Sequence, residues 1–183
     1  MKQIITQRWR LLLATCLLFD LVTIGMRPAI ASAHKDISPL PPPAGEVLLI
    51  IEGAISNTNS DTGAHLDLDT ILSLPAYTLD TSTAVTDGVR HFEGVLMRDL
   101  LQRVGASGTM VEARALNNYS VDIPIGDFHA YDVILATHMD GKRLLPSDKG
   151  PFWIVYPRDQ WRQLQDIRYD YRWVWQLNRL TIK

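Results

Sequence analysis

The feature that most restricts the fold of this chain is a series of short apolar segments, each ended by glycine, proline or an Asp-Gly pair. Residues 46–52 form a near-continuous apolar run that stops at Gly53, and residues 110–116 alternate between apolar and charged side chains. The first pattern is typical of a buried strand and the second of a half-buried strand. Segments of this length favour a domain with more strand than helix.

The rest of the chain continues this pattern. Further strands are predicted in residues 77–85, 119–125, 133–137, 152–156 and 174–182. Pro124 cannot donate a hydrogen bond to a neighbouring strand, so its strand is expected at a sheet edge or to end there. Apolar spacing predicts a helix over residues 96–104. Residues 66–74 alternate first and then become helical, with Asp69 as the predicted N-cap. We therefore predict an α+β fold, a strand-rich mixed-sheet domain with short helices.

Residues 1–33 have the pattern of a signal peptide. A positively charged start precedes an apolar stretch, and overlapping small-residue cleavage motifs end at Ala31 and Ala33. A retained membrane anchor is the alternative, but the apolar run is short for a bilayer span and Asp20 interrupts it. We therefore expect a periplasmic or secreted protein, with no stable membrane span after signal cleavage.

The remaining sequence divides into a tether and one domain. Residues 34–45 contain four prolines and are predicted to be an extended tether, and residues 46–183 form a single domain. Four of the 18 basic and one of the 20 acidic residues lie before residue 34, so the mature chain has a net charge near −5. That charge argues against nucleic acid as a partner. The only cysteine is Cys16, so the domain cannot use disulfides.

Five motifs recur in a characteristic order along the domain. They are FEGVL at 92–96, ALNNY at 115–119, MDGKRLL at 139–145, KGPFWIVYP at 149–157 and RW at 172–173. Together they resemble the oxidoreductase molybdopterin-binding domain, the sulfite-oxidase-like family. The resemblance extends over nearly all of residues 46–183. It implies the mixed-sheet fold of that family and, for an intact member, a molybdopterin-dependent oxidoreductase activity.

The resemblance fails where the family's chemistry resides. Its catalytic members have a Cys-x-Gly-Asn-x-Arg loop whose soft thiolate binds the metal, but the corresponding region, residues 77–90, has no cysteine. We therefore predict no catalytic residue and no metal site, and no resident cofactor. Molybdopterin binding through the cofactor's own dithiolene stays possible. His65, His129 and His138 are too scattered to suggest a metal site.

Several polar residues are candidates for ligand binding. Arg90 and His91 adjoin the first motif and could line an anion or pterin pocket, although a solvated turn would also contain them. Asn117, Asn118 and Tyr119 form a polar segment between two apolar strands. The asparagine amide groups could bind a ligand through hydrogen bonds, or could simply cap a turn.

Three cations near the end of the domain are further ligand-binding candidates. Lys149, Arg158 and Arg172 could converge on a carboxylate, phosphate or sulfate group. The alternative is that they pair with aspartates, for which the candidates are Asp148, Asp159, Asp166 and Asp170.

Aromatic residues are concentrated in the last part of the chain. Such a cluster can form a ligand cleft or a partner surface. Core packing is the expected role of Trp153 and Trp175, whereas Trp161 lies in a polar loop and is the candidate for partner binding.

Three functions remain open from the sequence. The first is an exported binding module that recognises a small anionic or pterin-like ligand, or a protein partner such as a membrane sensor. The second is a molybdopterin-dependent oxidoreductase subunit that transfers electrons in the periplasm, with Asn117, Asn118 and Arg172 contacting the cofactor. The third is a structural interaction domain that uses its aromatic C-terminal face.

Overall fold

The computed structural model describes residues 38–183. The predicted signal peptide and the first residues of the predicted tether lie outside this range. The strands are β1 Leu49–Gly53, β2 Ala64–Leu66, β3 Ala76–Ser82, β4 Val89–Leu96, β5 Met110–Ala115, β6 Ser120–Pro124, β7 Ile134–Met139, β8 Lys142–Arg143, β9 Trp153–Val155 and β10 Leu177–Ile182. The helices are α1 Leu68–Leu72, α2 Met97–Arg103, α3 Ile125–Ala130 and α4 Ile167–Asp170, and a 3-10 turn covers Arg162–Gln165.

The strands form two sheets of five. The first has the order β2-β1-β10-β5-β6, and in the second β3, β4, β7 and β8 follow one another while β9 also pairs with β7. Only the β1–β10 pairing is parallel among these strands, so the first sheet is mixed. The predicted strand-rich α+β fold with short helices is confirmed. Pro124 lies at the end of β6, an edge strand, as its missing N–H requires.

One hydrophobic core is shared by the two sheets. Its largest fully buried side chains include Trp153, Tyr156, Phe92 and Phe128. The sheets are connected near this cluster, where the Leu177 N–H donates to the Phe152 carbonyl at 3.0 Å. The chain between α4 and β10 is therefore fixed against the core at the junction of the sheets.

The short helix near the start of the domain is capped by Asp67, and the prediction of Asp69 as N-cap was wrong. Asp67 has extended backbone angles and accepts from the Thr70 N–H at 2.9 Å, whereas Asp69 lies inside the first turn. Strand β2 ends at Leu66 and the helix begins at Leu68, earlier than an N-cap at Asp69 would place it.

The proline-rich segment contacts the domain from Ser38 onward. The Asn57 side-chain amide donates to the Ser38 carbonyl at 3.0 Å. The Asp67 carboxylate accepts from the N–H groups of Ala44 and Gly45 at 2.7 and 2.9 Å. This part of the predicted tether packs on the domain instead of leading freely to it. Between Ser38 and Lys183, no helix combines the length and apolarity needed to cross a bilayer.

Candidate functional site

A concave site lies between the β5–β6 turn and the segment that follows α4. It encloses about 260 Å³. We call it the aromatic pocket, and its lining residues are Ala115, Asn117, Tyr119, Asp170, Tyr171, Trp173, Val174 and Trp175. Two of the sequence-predicted ligand residues, Asn117 and Tyr119, are brought together here.

The β5–β6 turn fixes the polar side of this pocket. Asn118 adopts a left-handed backbone conformation, with φ of 66°, which asparagine tolerates better than most residues. The Tyr119 N–H donates to the Asn117 side-chain oxygen at 2.9 Å. That bond orients the Asn117 side chain and leaves its amide N–H groups without a partner among residues 38–183. The turn-capping role considered from the sequence is therefore real, and it also presents donors at the pocket.

Two tryptophans form the opposite wall. Trp173 is buried and stacks on Tyr156 with ring centroids 6.1 Å apart. Trp175 meets the edge of Trp153 at 6.4 Å, but it is 39% exposed, so its expected place in the core was wrong. Trp153 is fully buried, as predicted. An aromatic wall that is buried at Trp173 and exposed at Trp175 suits a flat apolar ligand face.

A hydrogen bond spans the two sides of the pocket. The Tyr119 hydroxyl donates to the Tyr171 carbonyl at 2.9 Å. Burial, with a smaller contribution from Tyr171, raises the pKa of Tyr119. The phenol is therefore a neutral donor throughout the physiological pH range. This bridge ties the β5–β6 turn to the chain after α4.

Asp170 is the charged group on the pocket lining. Its Oδ1 lies 3.8 Å from Arg158 Nε, too far for a hydrogen bond, and both of these atoms are buried without a partner in the described chain. No protein donor within residues 38–183 reaches its carboxylate. A carboxylate in this state favours a ligand with N–H donors and disfavours an anion.

From the sequence, Asp170 was expected only as a partner for nearby cations. That ion pair is loose in the structure, and the carboxylate lines the pocket. The sequence feature that could have predicted Asp170 as a pocket residue is its position among aromatic residues in YDYRWVW at 169–175. The same segment contains Tyr171, which the sequence analysis also left out of the candidate site.

Lys149 and Arg158 lie beside the aromatic pocket but do not line it. The Lys149 ammonium bonds Asp148 at 3.0 Å and lies 5.7 Å from the centre of the Trp153 ring. Arg158 faces Asp170. Both cations therefore face the aspartates that the sequence offered as alternative partners.

Arg172 points away from the aromatic pocket. Its guanidinium bonds the Asp127 carboxylate, which also accepts from the Tyr156 hydroxyl at 2.9 Å, and it lies 4.6 Å from the Tyr169 ring centre. Burial alone would lower the pKa of Arg172, but the hydrogen bond and charge of Asp127 outweigh it and raise that pKa. Burial, reinforced by Asp127, raises the pKa of Tyr156 well above its usual value. The three groups form a fixed ion-pair network.

Arg90 and His91 lie on β4, in the second sheet, away from the aromatic pocket's lining. Arg90 pairs with Asp140 at 3.1 Å and His91 with Asp80 at 2.6 Å. The hydrogen bond that the His91 ring donates to the Asp80 carboxylate raises the pKa of His91. These residues therefore lie in a strand with acidic partners, and not in the turn considered from the sequence. The structure does not bring them together with Asn117.

Comparison with known proteins identifies the class of domain. The profile of the family described as oxidoreductase molybdopterin binding domain matches residues 61–162, more than half of the chain. The chain belongs to this family. A search of curated proteins found no match.

The solved structures give the same fold. The sulfane dehydrogenase SoxCD from Paracoccus pantotrophus superposes with a TM-score of 0.54 at 19% sequence identity. The match covers 73% of this chain and 37% of that chain, so this protein spans about a third of its length. The lining residues Asp170, Tyr171 and 173–175 lie outside the part of the chain that matches the family profile.

The described residues do not fit the metal-binding half of molybdopterin. Residues 38–183 contain no cysteine, and within them no three His, Cys, Asp or Glu side chains are grouped to hold a metal ion. Strands β3 and β4 form an antiparallel hairpin in the region where catalytic relatives were expected to place their cysteine loop. For the pterin half of the cofactor, the aromatic pocket offers tryptophan rings, the Asn117 amide and the Asp170 carboxylate.

Proposed function

We propose that this domain is a binding module on the molybdopterin-oxidoreductase scaffold and that the aromatic pocket binds a pterin-like ligand. The observation that supports this most directly is Asp170, a carboxylate without a protein hydrogen bond on the lining of an otherwise uncharged aromatic pocket. A pterin ring presents a flat face to the tryptophans. Its amino group and ring N–H are donors of the kind that a carboxylate accepts.

The same chemistry disfavours a small inorganic anion as the ligand of this pocket. An anion would approach the Asp170 charge, and like charges in a partly buried site repel each other. Arg158 Nε lies 3.8 Å from this carboxylate, and Arg158 does not line the pocket. We therefore favour the pterin-like ligand over the anionic one among the alternatives that the sequence left open.

Titration of tryptophan fluorescence tests this proposal. Neopterin is added to the purified protein, and sulfate and molybdate are added in parallel. We expect saturable quenching by neopterin, because Trp173 and Trp175 form one wall of the pocket. Saturation by sulfate or molybdate with no response to neopterin would contradict the proposal.

The variant Asp170→Asn tests the role assigned to the carboxylate. A charge-assisted hydrogen bond contributes about 1.5–3 kcal/mol, so neopterin affinity should fall by about tenfold or more. The matched control is Asp148→Asn, an exposed aspartate that does not line the pocket and pairs with Lys149. Equal neopterin affinities of the two variants would show that Asp170 does not bind the ligand.

An oxidoreductase subunit is the second candidate, and family membership is the observation that favours it. It is tested by elemental analysis and pterin analysis of protein purified from its native host. Stoichiometric molybdenum would support the enzyme, whereas a pterin without molybdenum would support the binding module.

We propose that the module acts in the periplasm or outside the cell. The support is the signal-like sequence of residues 1–33. Cell fractionation and N-terminal sequencing of the mature protein test this location, with cleavage expected after Ala31 or Ala33. An uncleaved protein in the cytoplasmic fraction would contradict it.

A further inference from the structure

A second concavity lies on the other side of the segment that follows the 3-10 turn. It encloses about 520 Å³, and we call it the arginine groove. Its lining residues are Arg162, Gln163, Asp166, Arg168, Tyr169 and Arg172. It contains three arginines and one aspartate, although the chain as a whole has a net charge of −2. A locally basic groove on an acidic protein favours an acidic partner.

The arginines of this groove retain donors for a ligand. Arg168 is paired with Asp166 through two bonds, at 2.9 and 3.0 Å. Arg162 is exposed and has no acidic partner in the described chain. Arg172 uses one of its nitrogens for Asp127, while its position over Tyr169 holds the guanidinium plane in place. Because a guanidinium has five N–H donors, Arg162 and Arg172 can still bind carboxylates.

Exposed apolar surface continues the groove. Trp161 is 43% exposed and meets the edge of Tyr131 at 5.5 Å, and Tyr131 in turn meets Tyr169 at 6.2 Å. The Gln163 amide donates to the Tyr131 hydroxyl at 3.3 Å. Ile167, on α4, is 63% exposed. Tryptophan, tyrosine and arginine in a supported arrangement are the residues that dominate binding at protein interfaces.

We propose that the arginine groove, together with Trp161 and Tyr131, is a docking surface for a protein partner that presents an acidic segment with an apolar side chain. The carboxylates of the segment bind Arg162 and Arg172, and its apolar residue packs on Trp161. A lipid surface is disfavoured because the groove is concave and Arg168 is already neutralised by Asp166. This surface is independent of the aromatic pocket and of its ligand.

Selection from a display library of random peptides against the full-length protein tests the proposal. We expect enriched peptides to be rich in Asp and Glu with an aromatic or aliphatic residue. Their binding should fall at least tenfold in Arg162→Glu and in Trp161→Ala. It should be unchanged in Lys142→Glu, which reverses an exposed charge on β8 instead. Near-ultraviolet circular dichroism confirms that each variant is folded.

Each other outcome of this experiment overturns the proposal. Peptides without acidic residues, or acidic peptides that bind the Arg162 variant as well as the native protein, would remove the groove as their site. A failure to enrich any peptide would also overturn it. Inorganic phosphate and phosphatidylglycerol vesicles are titrated in parallel, and Arg162-dependent binding of either without peptide enrichment would assign the groove to a small anion or to a membrane.

Discussion

At the scale of single residues, Asp67 joins two parts of the chain that are distant in sequence. Its carboxylate caps α1 through Thr70 and accepts the N–H groups of Ala44 and Gly45. Removing it leaves several donors unsatisfied at one buried position. We expect Asp67→Ala to lower the free energy of unfolding by about 1–3 kcal/mol, measured by urea denaturation.

The charge of Asp67 adds a pH dependence. The hydrogen bond from the Thr70 side chain, followed by the N–H groups of Gly45 and Thr70, lowers the pKa of Asp67 far below its usual value. A lowered pKa stabilises the fold above the unfolded value, about 3.9, and this stabilisation is lost as pH falls towards the folded value. The difference in unfolding free energy between the native protein and Asp67→Asn should therefore have its full size at pH 7 and become smaller below about pH 4. A constant difference down to pH 2 would contradict this assignment.

Asp127 is the second residue whose partners converge from different elements. It lies in the first turn of α3 and accepts from Tyr156 and Arg172. Asp127→Ala leaves a partly buried guanidinium without its counter-charge, so we expect a loss of about 2–3 kcal/mol in unfolding free energy. Tyr156→Phe removes one hydrogen bond and should cost about 1 kcal/mol. As a control, Asp148→Ala, which breaks an exposed pair, should have little effect.

At the scale of helices and strands, what the sequence could predict depended on how local the signal was. Strand β5 was predicted within a residue, because alternation alone defines it. The Asp140-Gly141 turn was also predicted, and both residues have the positive φ that a tight hairpin turn requires. Strand β4 was missed as a long strand, because its polar first half is ordered only by pairing with β3.

The candidate site was less predictable for the same reason. Asn117 and Tyr119 belong to one turn, so a local polar break revealed them. Asp170, the last residue of α4, and Trp175, in the chain that follows it, reach the pocket only through tertiary packing. Arg172 was grouped with Arg158 from sequence proximity, yet its side chain faces the opposite side of that segment. Which way a side chain points in an irregular segment depends on tertiary packing that no local pattern encodes.

The pairing of β4 with β7 depends on a missing side chain. A Cβ on Gly94 would lie 2.1 Å from the Leu135 carbonyl oxygen, at the register shift between Glu93 and Gly94. We expect Gly94→Ala to cost about 1–3 kcal/mol, because backbone must move to admit the methyl group. Gly126→Ala is the matched control in α3, where a Cβ meets nothing within 4 Å. It should be neutral or stabilising by about 0.5 kcal/mol in thermal unfolding. Equal effects of the two changes would refute this explanation.

At the scale of the whole molecule, ligand binding in the aromatic pocket should stabilise the fold. A ligand present at about 100 times its Kd adds about 2.7 kcal/mol to the free energy of unfolding. For a domain of this size the expected rise in Tm is about 5–10 °C. The shift with neopterin should disappear in Trp175→Ala and persist in Trp161→Ala, since Trp175 lines that pocket and Trp161 does not. Differential scanning fluorimetry measures it, and its loss in both variants would indicate a general effect of aromatic substitution.

The order of strands in the first sheet has a consequence for biosynthesis. Strand β10 lies at its centre, between β1 and β5, and follows every other strand of that sheet in the sequence. Until β10 has left the ribosome, the β2–β1 pair and the β5–β6 pair have no strand between them to complete the hydrogen bonding of the sheet. Assembly of this layer must therefore come after translation of the domain is complete. Any truncation before Leu177 removes the central strand of the first sheet, whereas the loss of an edge strand would leave the remaining strands paired.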